Sequence, residues 1–468
     1  MRFDGFVGPT YESDSKAADA QRAVNVYPEL LESGTAKNRF GFYGTPGLTT
    51  FCTLPTAPVR GLWANDPSGI AGTGRLFAAG GNTLYEITSG GVATSMGVIG
   101  DDAAHSPVQI FPNGTQLFIV SAGKGYLHDG TTLTEVVNAR TGAYLDGYFI
   151  VNPPETPKRF YHSKQLDGTD WNELDFATKE GYPDNCVSIL ADHSELWLFG
   201  DETTEVWRNE GDIDNVFRRD PGAFIHHGSV AAWGPVNVYG GVGWLGGDAR
   251  GRVTALYAEG FRPVRLSTHA IEAKWGKYST VADAISYSYT ENGHTFWVIT
   301  FPTANATWAY DFTTKMWHER ASGADLDRHR GRCHTYVFGK HLVGDHTTGV
   351  VYQMSSELLD DAGTAIVRMR RAPHITNEQK NIFFHSLQLD MEVGGGSDPE
   401  VTLAWSNDGG YSFNTAKTQT AGSAGEYSKR VIWRRLGKGR DRVFEVRSSA
   451  AIKHAWVDAY LNLTAGTA

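Results

Sequence analysis

The feature that most constrains the fold is a pattern that returns seven times between residues 60 and 365. Each copy has a short apolar run, a turn with Gly, Asn or Asp, and a second run with an aromatic residue, as in "RLFAAGGNTLYEIT". Equivalent points lie 31 to 53 residues apart, at Leu76, Leu117, Tyr148, Leu196, Trp244, Trp297 and Leu342. One such sheet cannot bury both faces, so the copies must stack until the stack closes. The pattern predicts a β-propeller of six or seven blades, because one blade can take a strand from the N-terminal segment.

The composition supports an all-β fold. The chain has 54 Gly, 13 Trp, 20 Tyr and 23 Phe among 468 residues. Tight hairpins need residues that accept a positive φ, and aromatic side chains suit pleated surfaces. At this length two or three folding units are expected, and a pair of ordinary β-sandwiches remains an alternative to the propeller.

The pattern divides the chain into three predicted parts. Residues 1–60 form an extended segment with one short helix over "DSKAADAQRAV", capped by Ser13 or Ser15 and ended before Pro28. Residues 61–365 form the propeller. Residues 366–468 lack the blade pattern but keep turn signals at short spacing, which predicts a separate C-terminal β-sandwich.

Charge is distributed unevenly between these parts. Residues 1–365 hold 28 basic and 42 acidic residues, whereas 366–468 hold 14 basic and 10 acidic residues. The stretch "KRVIWRRLGKGRDRVFEVRSSA" alone has eight basic and two acidic residues. Its alternation predicts a hairpin with one apolar face and one basic face. The basic side could bind phosphates, be merely solvated, or dock an acidic partner subunit; the candidate contact residues are Arg434, Arg435, Lys438, Arg440 and Arg442.

A second motif, "SNDGGYSF", fits the Asp-box pattern. Its defining residues are Ser406, Asp408, Gly410 and Phe413. In such a turn the Asp side chain accepts backbone N–H groups and the aromatic packs beneath it. The box is therefore interpreted as a structural turn without catalytic chemistry.

No motif predicts an enzyme, a cofactor or a metal. Three separated cysteines, Cys52, Cys186 and Cys333, give no disulfide framework and suit a reducing compartment. His329, Cys333 and His334 form a single loose cluster, short of the two ligand pairs that zinc sites need. The sequence also lacks a signal-peptide h-region and an apolar stretch long enough to span a bilayer, so neither classical secretion nor membrane insertion is expected.

Several segments, in order, resemble one family. They are "NVYPE" and "FYGTPGLTTF" near the start, "WNELDFATKEGYPDNCVSI" with "LWLFGDETTEVW" in the middle, and "KRVIWRRLGKGRDRVFEVR" near the end. Together they resemble the tail hub or nozzle protein of short-tailed double-stranded DNA bacteriophages, also described as the packaged-DNA stabilisation protein. The segment between Lys16 and Arg39 matches least well.

The resemblance implies a structural virion protein without enzymatic activity, assembled in the host cytoplasm into the tail. It implies a ring of six copies below the head-tail adaptor, which closes the portal channel, retains packaged DNA and conducts DNA during ejection. It also implies contacts with a tail fibre or tailspike, a tail needle or plug, and non-specific double-stranded DNA in the channel. An acidic body suits a channel that must not hold phosphates. The rival hypotheses are a glycan-processing or glycan-binding propeller and a monomeric binding propeller.

Overall fold

The computed structural model describes residues 1–33, 35–65, 74–212, 215–247 and 252–466. Within these ranges the chain forms 43 strands and one short helix, so the predicted all-β class is confirmed. Seven blades follow one another as a propeller: blades 1 to 5 are separate four-stranded sheets, blade 6 continues into one sheet of a two-layered sandwich, and blade 7 belongs to a six-stranded sheet.

The strands are numbered in chain order. The N-terminal strands are β1 Tyr11–Glu12, β2 Ala20–Val24, β3 Val26–Leu30, β4 Phe40–Gly44 and β5 Gly47–Thr53. Blades 1 to 3 are β6 Val59–Asn65, β7 Arg75–Gly80, β8 Thr83–Ile87 and β9 Ala93–Val98; β10 Gln109–Pro112, β11 Leu117–Ser121, β12 Lys124–His128 and β13 Leu133–Asn138; and β14 Thr141–Leu145, β15 Tyr148–Asn152, β16 Arg159–His162 and β17 Phe176–Thr178. Blades 4 and 5 are β18 Cys186–Asp192, β19 Glu195–Gly200, β20 Thr204–Asn209 and β21 Phe217–Ile225; and β22 Val236–Val238, β23 Gly241–Gly247, β24 Val253–Glu259 and β25 Arg262–Arg265.

Helix α1, His269–Trp275, precedes blade 6. Blade 6 is β26 Ile285–Glu291, β27 His294–Phe301, β28 Ala306–Asp311 and β29 Met316–Ser322, with β30 Asp327–Arg328 paired to β29. Blade 7 contains β31 Gly331–Val337, β32 Lys340–Asp345 and β33 Val350–Ser355, and β34 Asp360–Asp361 and β35 Thr364–Ala365 follow it. The C-terminal strands are β36 Arg368–Arg371, β37 Ile375–Thr376, β38 Ile382–Met391, β39 Glu400–Ser406, β40 Lys417–Thr420, β41 Val431–Gly439, β42 Asp441–Ser448 and β43 Ala455–Ala465.

The ring is closed by a strand from the N-terminal segment. β5 pairs antiparallel with β33 and so becomes the fourth strand of blade 7. The first strand of each blade lies near the axis, where β31 of blade 7 contacts β6 of blade 1. All seven equivalent points of the sequence pattern lie on the second strand of their blade. Second strands are nearly continuous apolar runs, such as Leu117–Ser121, because each blade is covered on both faces.

The N-terminal segment differs from its prediction. Residues 14–19 form turns and residues 20–24 form β2, so no helix exists here. The N–H of Ala23 donates to the Thr10 hydroxyl, and β2 pairs with both β36 and β29. These long-range ladders override the local helical pattern because they satisfy the same backbone groups while burying Ala20, Ala23 and Val24.

The sandwich also differs from its prediction, because it contains both ends of the chain. One sheet has the order β3-β4-β43-β38-β41, and the opposite sheet includes β2-β36-β42-β39-β40. Phe3 and Phe6 of the N-terminal segment join Phe384, Phe444 and Trp456 in one buried core. The predicted boundary at residue 60 is therefore corrected: β2 to β4 belong to the sandwich, and β5 belongs to the propeller.

Candidate functional site

The basic stretch lies at one edge of the sandwich, but it is not a hairpin. β41 is the edge strand of its sheet and pairs with β38, whereas β42 lies inside the opposite sheet between β36 and β39. The ladders of the described residues do not join β41 to β42. The predicted hairpin is wrong because the alternation of apolar residues in each strand also fits a chain that crosses from one layer to the other.

Four of the five candidate contact residues are exposed along this edge, namely Arg434, Arg435, Lys438 and Arg440. Arg435 has a φ of 58°, and the register of β38 against β41 shifts between Phe384 and Ser386 at this bulge. A bulge and a row of cations on an edge strand discourage pairing with another sheet. The same cations remain available to an acidic partner surface.

The fifth candidate, Arg442, is buried and cannot contact another subunit. Its guanidinium donates to Asn407 Oδ1 at 2.8 Å, to the Leu436 carbonyl at 2.7 Å and to the Lys438 carbonyl at 2.8 Å. It also lies 4.3 Å from the centroid of the Phe384 ring. Burial lowers the pKa of Arg442 to about 10, so it stays charged at neutral pH. Arg442 therefore holds the crossover between β41 and β42 in place.

The Asp-box residues form a compact turn after β39. The Ser406 hydroxyl donates to Asp408 Oδ1 at 2.5 Å, and Asp408 accepts the N–H groups of Tyr411 and Ser412. These hydrogen bonds hold the pKa of Asp408 well below its usual range. Gly410 has a φ of 88°, which favours glycine, and Phe413 packs under the guanidinium of Arg371 at 4.7 Å.

A chain of ion pairs joins the propeller to the sandwich. Arg22 on β2 forms a bidentate pair with Glu319 on β29, with distances of 2.9 and 2.7 Å. Lys274 of α1 lies 3.4 Å from both Glu319 and Glu12. From there the chain continues into the sandwich through Arg371, which pairs with Glu12 and with Glu445. Burial opposes ionisation of Glu319, but Arg22 and Lys274 outweigh it and lower the pKa of Glu319 to about 2.

This pKa predicts that acid weakens the joint. The carboxyl has an ordinary pKa of 4.5 and a folded-state pKa of about 2. Its stabilisation is therefore complete above pH 4.5 and lost as the pH falls towards 2. Between pH 7 and pH 3 the Glu319→Gln variant should lose about 2 kcal/mol less unfolding free energy than the wild type. Urea titrations of both proteins at the two pH values test this, and equal losses would contradict it.

The block that carries the family resemblance most clearly builds a buried turn in blade 4. Asp184 accepts the N–H groups of Glu202 at 3.0 Å and Thr203 at 2.9 Å. Lys179 donates to Asp184 and, at 2.6 Å, to the Thr203 hydroxyl. Asp184 also leaves no room for a Cβ on Gly200. The Pro-Asp turn and the Phe-Gly pair therefore pack against each other, and Asp184 caps the turn that follows Gly200.

The axis of the propeller ends in a small cavity where the inter-blade connections converge. Its volume is about 360 Å³, and its walls include Asp102, Arg140 and Trp233. Such a volume is typical of a small-molecule pocket.

The described residues contain no group of three or more His, Cys, Asp or Glu side chains placed to hold a metal ion. His329 is buried and its Nε2 accepts from Arg320, and Nε2 of His334 lies 3.0 Å from Nδ1 of His341, so both histidines have partners outside the predicted loose cluster. Cys52, Cys186 and Cys333 are free thiols. In the described part of the chain, no helix has the length and apolarity needed to cross a bilayer.

Comparison with protein families matches both parts of this architecture. Residues 12–359 match the family described as bacteriophage P22 Gp10, beta-propeller, and residues 367–464 match bacteriophage P22 Gp10, beta-sandwich. The chain belongs to the bacteriophage P22 Gp10 family. The resemblance to phage tail hub and stabilisation proteins is therefore confirmed, and this Gp10-family chain is a structural protein of the phage tail, located in the virion.

Solved structures resemble the Gp10-family chain only distantly. PorZ of Porphyromonas gingivalis is 14% identical, with a TM-score of 0.37, and the aligned region covers 68% of this chain and 39% of PorZ. A chain from the S. cerevisiae complex of Dbp5 with Nup159 and Gle1 is 10% identical, with a TM-score of 0.42, and the aligned region covers 68% of this chain and 96% of that one. An exo-beta-1,3-galactanase from Phanerochaete chrysosporium is 11% identical, with coverages of 78% and 98% and a TM-score of 0.26. The chain thus spans about two fifths of the length of PorZ. A search of curated proteins gave no match.

Proposed function

We propose that several copies of this chain, six by the family resemblance, form a ring below the head-tail adaptor. This ring closes the portal channel to retain packaged DNA and conducts DNA during ejection. The observation that carries the proposal is the match of both parts of the chain to the bacteriophage P22 Gp10 family, residues 12–359 to its beta-propeller and residues 367–464 to its beta-sandwich. In such a ring the DNA runs along the axis that the copies share.

Charge supports this arrangement. Three exposed cations of β41 and Arg440 directly after it project from a sandwich whose sequence is net positive, whereas residues 1–365 are net negative. The basic edge of one copy therefore complements the acidic propeller of its neighbour. The remaining acidic surface suits a passage that repels phosphates and lets DNA slide. A tail fibre or tailspike at the side, and a needle or plug below, complete the proposed set of partners.

Ring formation is expected to depend on the basic edge. A variant in which Arg434, Arg435, Lys438 and Arg440 are all replaced by Ser should assemble on the adaptor about tenfold more weakly or worse, because rim cations set association and its salt dependence. Electron microscopy and mass measurement of the protein mixed with its adaptor provide the readout. The matched control replaces four exposed propeller cations by Ser, namely Lys158, Arg218, Arg262 and Lys315.

Two results would contradict the proposal. One is a mass of a single chain, 51.2 kDa, under every condition including with the adaptor present. The other is equal assembly of the edge variant and the control. A glycan-processing propeller would instead reveal itself by cleaving a bacterial surface polysaccharide and losing that activity when a single acidic residue is replaced.

A further inference from the structure

A cavity of about 380 Å³ lies where the sandwich meets blades 6 and 7. The sandwich contributes Tyr27, Arg368 and His454 to its wall. Asn292, in the turn between β26 and β27, and Ser356, which follows β33, contribute from the propeller. The cavity is therefore shared by both parts of the chain, and a ligand in it would contact both.

The guanidinium of Arg368 is the feature that points to a ligand. Arg368 is only 2% exposed, yet its Nε and Nη1 have no hydrogen-bond partner among the described residues. It packs against Gly44, where an added Cβ would come 2.6 Å from Nε, so only glycine leaves room for the guanidinium at this position. A buried cation without hydrogen bonds is costly, and such groups are normally satisfied by a partner. Burial lowers the pKa of Arg368 only to about 10, so the charge persists at neutral pH.

His454 adds a second unsatisfied group to the same wall. Its Nδ1 lies 2.8 Å from the Ile452 carbonyl, so Nδ1 must carry the proton and donate. Nε2 is then an acceptor, and it has no partner among the described residues although His454 is only 3% exposed. Burial, together with the charge of Arg368, lowers the pKa of His454 to about 3, which keeps the ring neutral.

Two acidic residues balance the two cations around the cavity, Arg368 and Lys453, so unused donors rather than a net positive charge would hold a ligand. Glu357 and Lys453 both line the wall, so their charges offset each other. Asp361, which is buried nearby, acts on Arg368 electrostatically. Arg368 remains the group with unused donors, and a ligand must present an anionic oxygen to it.

We propose that this cavity binds a phosphate group, either as inorganic phosphate or as a small phosphate monoester. Inorganic phosphate at neutral pH carries both things that the wall lacks: anionic oxygens that accept from Arg368 and an O–H that donates to His454. A monoester, whose second pKa is about 6, supplies the same oxygens but donates from a hydroxyl of its organic body. A carboxylate or a sulfate accepts but cannot donate at neutral pH. The volume leaves room for an organic body beside the phosphate, next to the ring of Tyr27. Bound there, the ligand stiffens the connection between sandwich and propeller.

Thermal unfolding of the full chain at neutral pH, in phosphate and in sulfate at equal ionic strength, tests the proposal. Phosphate should raise Tm by about 2 °C or more above the value in sulfate, because it binds only the folded chain. A further arm with ribose 5-phosphate separates the two sources: a larger shift with the ester assigns the site to a monoester, and a shift confined to inorganic phosphate assigns it to the free ion. Equal Tm values in phosphate, ester and sulfate would overturn the proposal.

Variants tie the response to the cavity. Arg368→Met should abolish the phosphate-dependent shift, whereas Arg262→Met, on the exposed surface of blade 5, should keep it. His454→Phe removes the Nε2 acceptor and serves as the test variant if Arg368→Met fails to fold. Its affinity for phosphate, measured by titration calorimetry, should be at least tenfold lower than that of the wild type. An unchanged response in either cavity variant would overturn the assignment.

Discussion

Replacing Arg370 with Met is expected to lower the free energy of unfolding by about 4 kcal/mol. Arg370 is fully buried and donates its hydrogen bonds to the N-terminal segment; the acceptors are the carbonyls of Gly5, Phe6, Pro9 and Arg22 and the side chain of Gln21. Met fills much of the volume but donates nothing, so these acceptors would be left unpaired. Burial of the cation is unfavourable and lowers the pKa of Arg370 to about 9. The Met variant avoids this cost, but the gain offsets only part of the lost hydrogen bonding.

Urea titration and limited proteolysis measure this effect. The N-terminal segment should become the first site of cleavage, because it would lose the hydrogen bonds that Arg370 donates to five of its residues. The control is Arg434→Met, which makes the same chemical change on an exposed side chain and should alter stability by no more than about 0.5 kcal/mol. If both variants unfold at the same urea concentration, the anchoring role of Arg370 is refuted.

Leu48→Asp should destabilise the chain by more than about 4 kcal/mol. Leu48 lies on β5, the strand that closes the ring, and is 1% exposed. It packs with Phe296 and Val298 of blade 6 and with Tyr352 and Met354 of blade 7. A carboxylate there is removed from water, and the nearby guanidinium of Arg320 already donates to Tyr289 and to the Pro46 carbonyl, so the charge would separate the closing strand from both blades.

The neighbouring residue supplies a matched control. Thr49 follows Leu48 on the same strand, but its side chain points to the opposite face and is exposed. Thr49→Asp should therefore unfold within about 0.5 kcal/mol of the wild type. Thermal melts followed by tryptophan fluorescence compare the two variants, and coincident melting curves would mean that β5 does not hold the ring closed.

The sequence was sufficient to predict the blades because burial on both faces leaves a strong local mark. A central blade strand is an apolar run of fixed length between turns, and the seven points from Leu76 to Leu342 each fall on such a run. The Asp-box turn was equally local, since Ser406, Asp408 and Gly410 contact one another within five residues.

Long-range partners left no such mark. The N-terminal strands have an ordinary local pattern, and which sheet they join depends on strands more than 300 residues away. Arg22 and Glu319 are 297 residues apart, so their pairing is invisible to spacing. The basic stretch predicts a surface contact for Arg442, although its side chain is buried, because local sequence does not distinguish an interior arginine from an exposed one. The run of Arg368, Arg370 and Arg371 in a buried strand is the available signal for interior cations.

The sharing of both chain ends by one sandwich has a consequence for synthesis. When the ribosome has released β5, the strand that β5 must pair with is still about 300 codons away, and β43, which β4 needs, is further still. At 5 to 20 residues per second the first wait is on the order of 15 to 60 s. Neither the propeller nor the sandwich can be completed before its late strands, β33 and β43, have been synthesised. A nascent or truncated product therefore carries unpaired strands and a gap in the ring, and only the finished polypeptide gains the surfaces with which the tail is built.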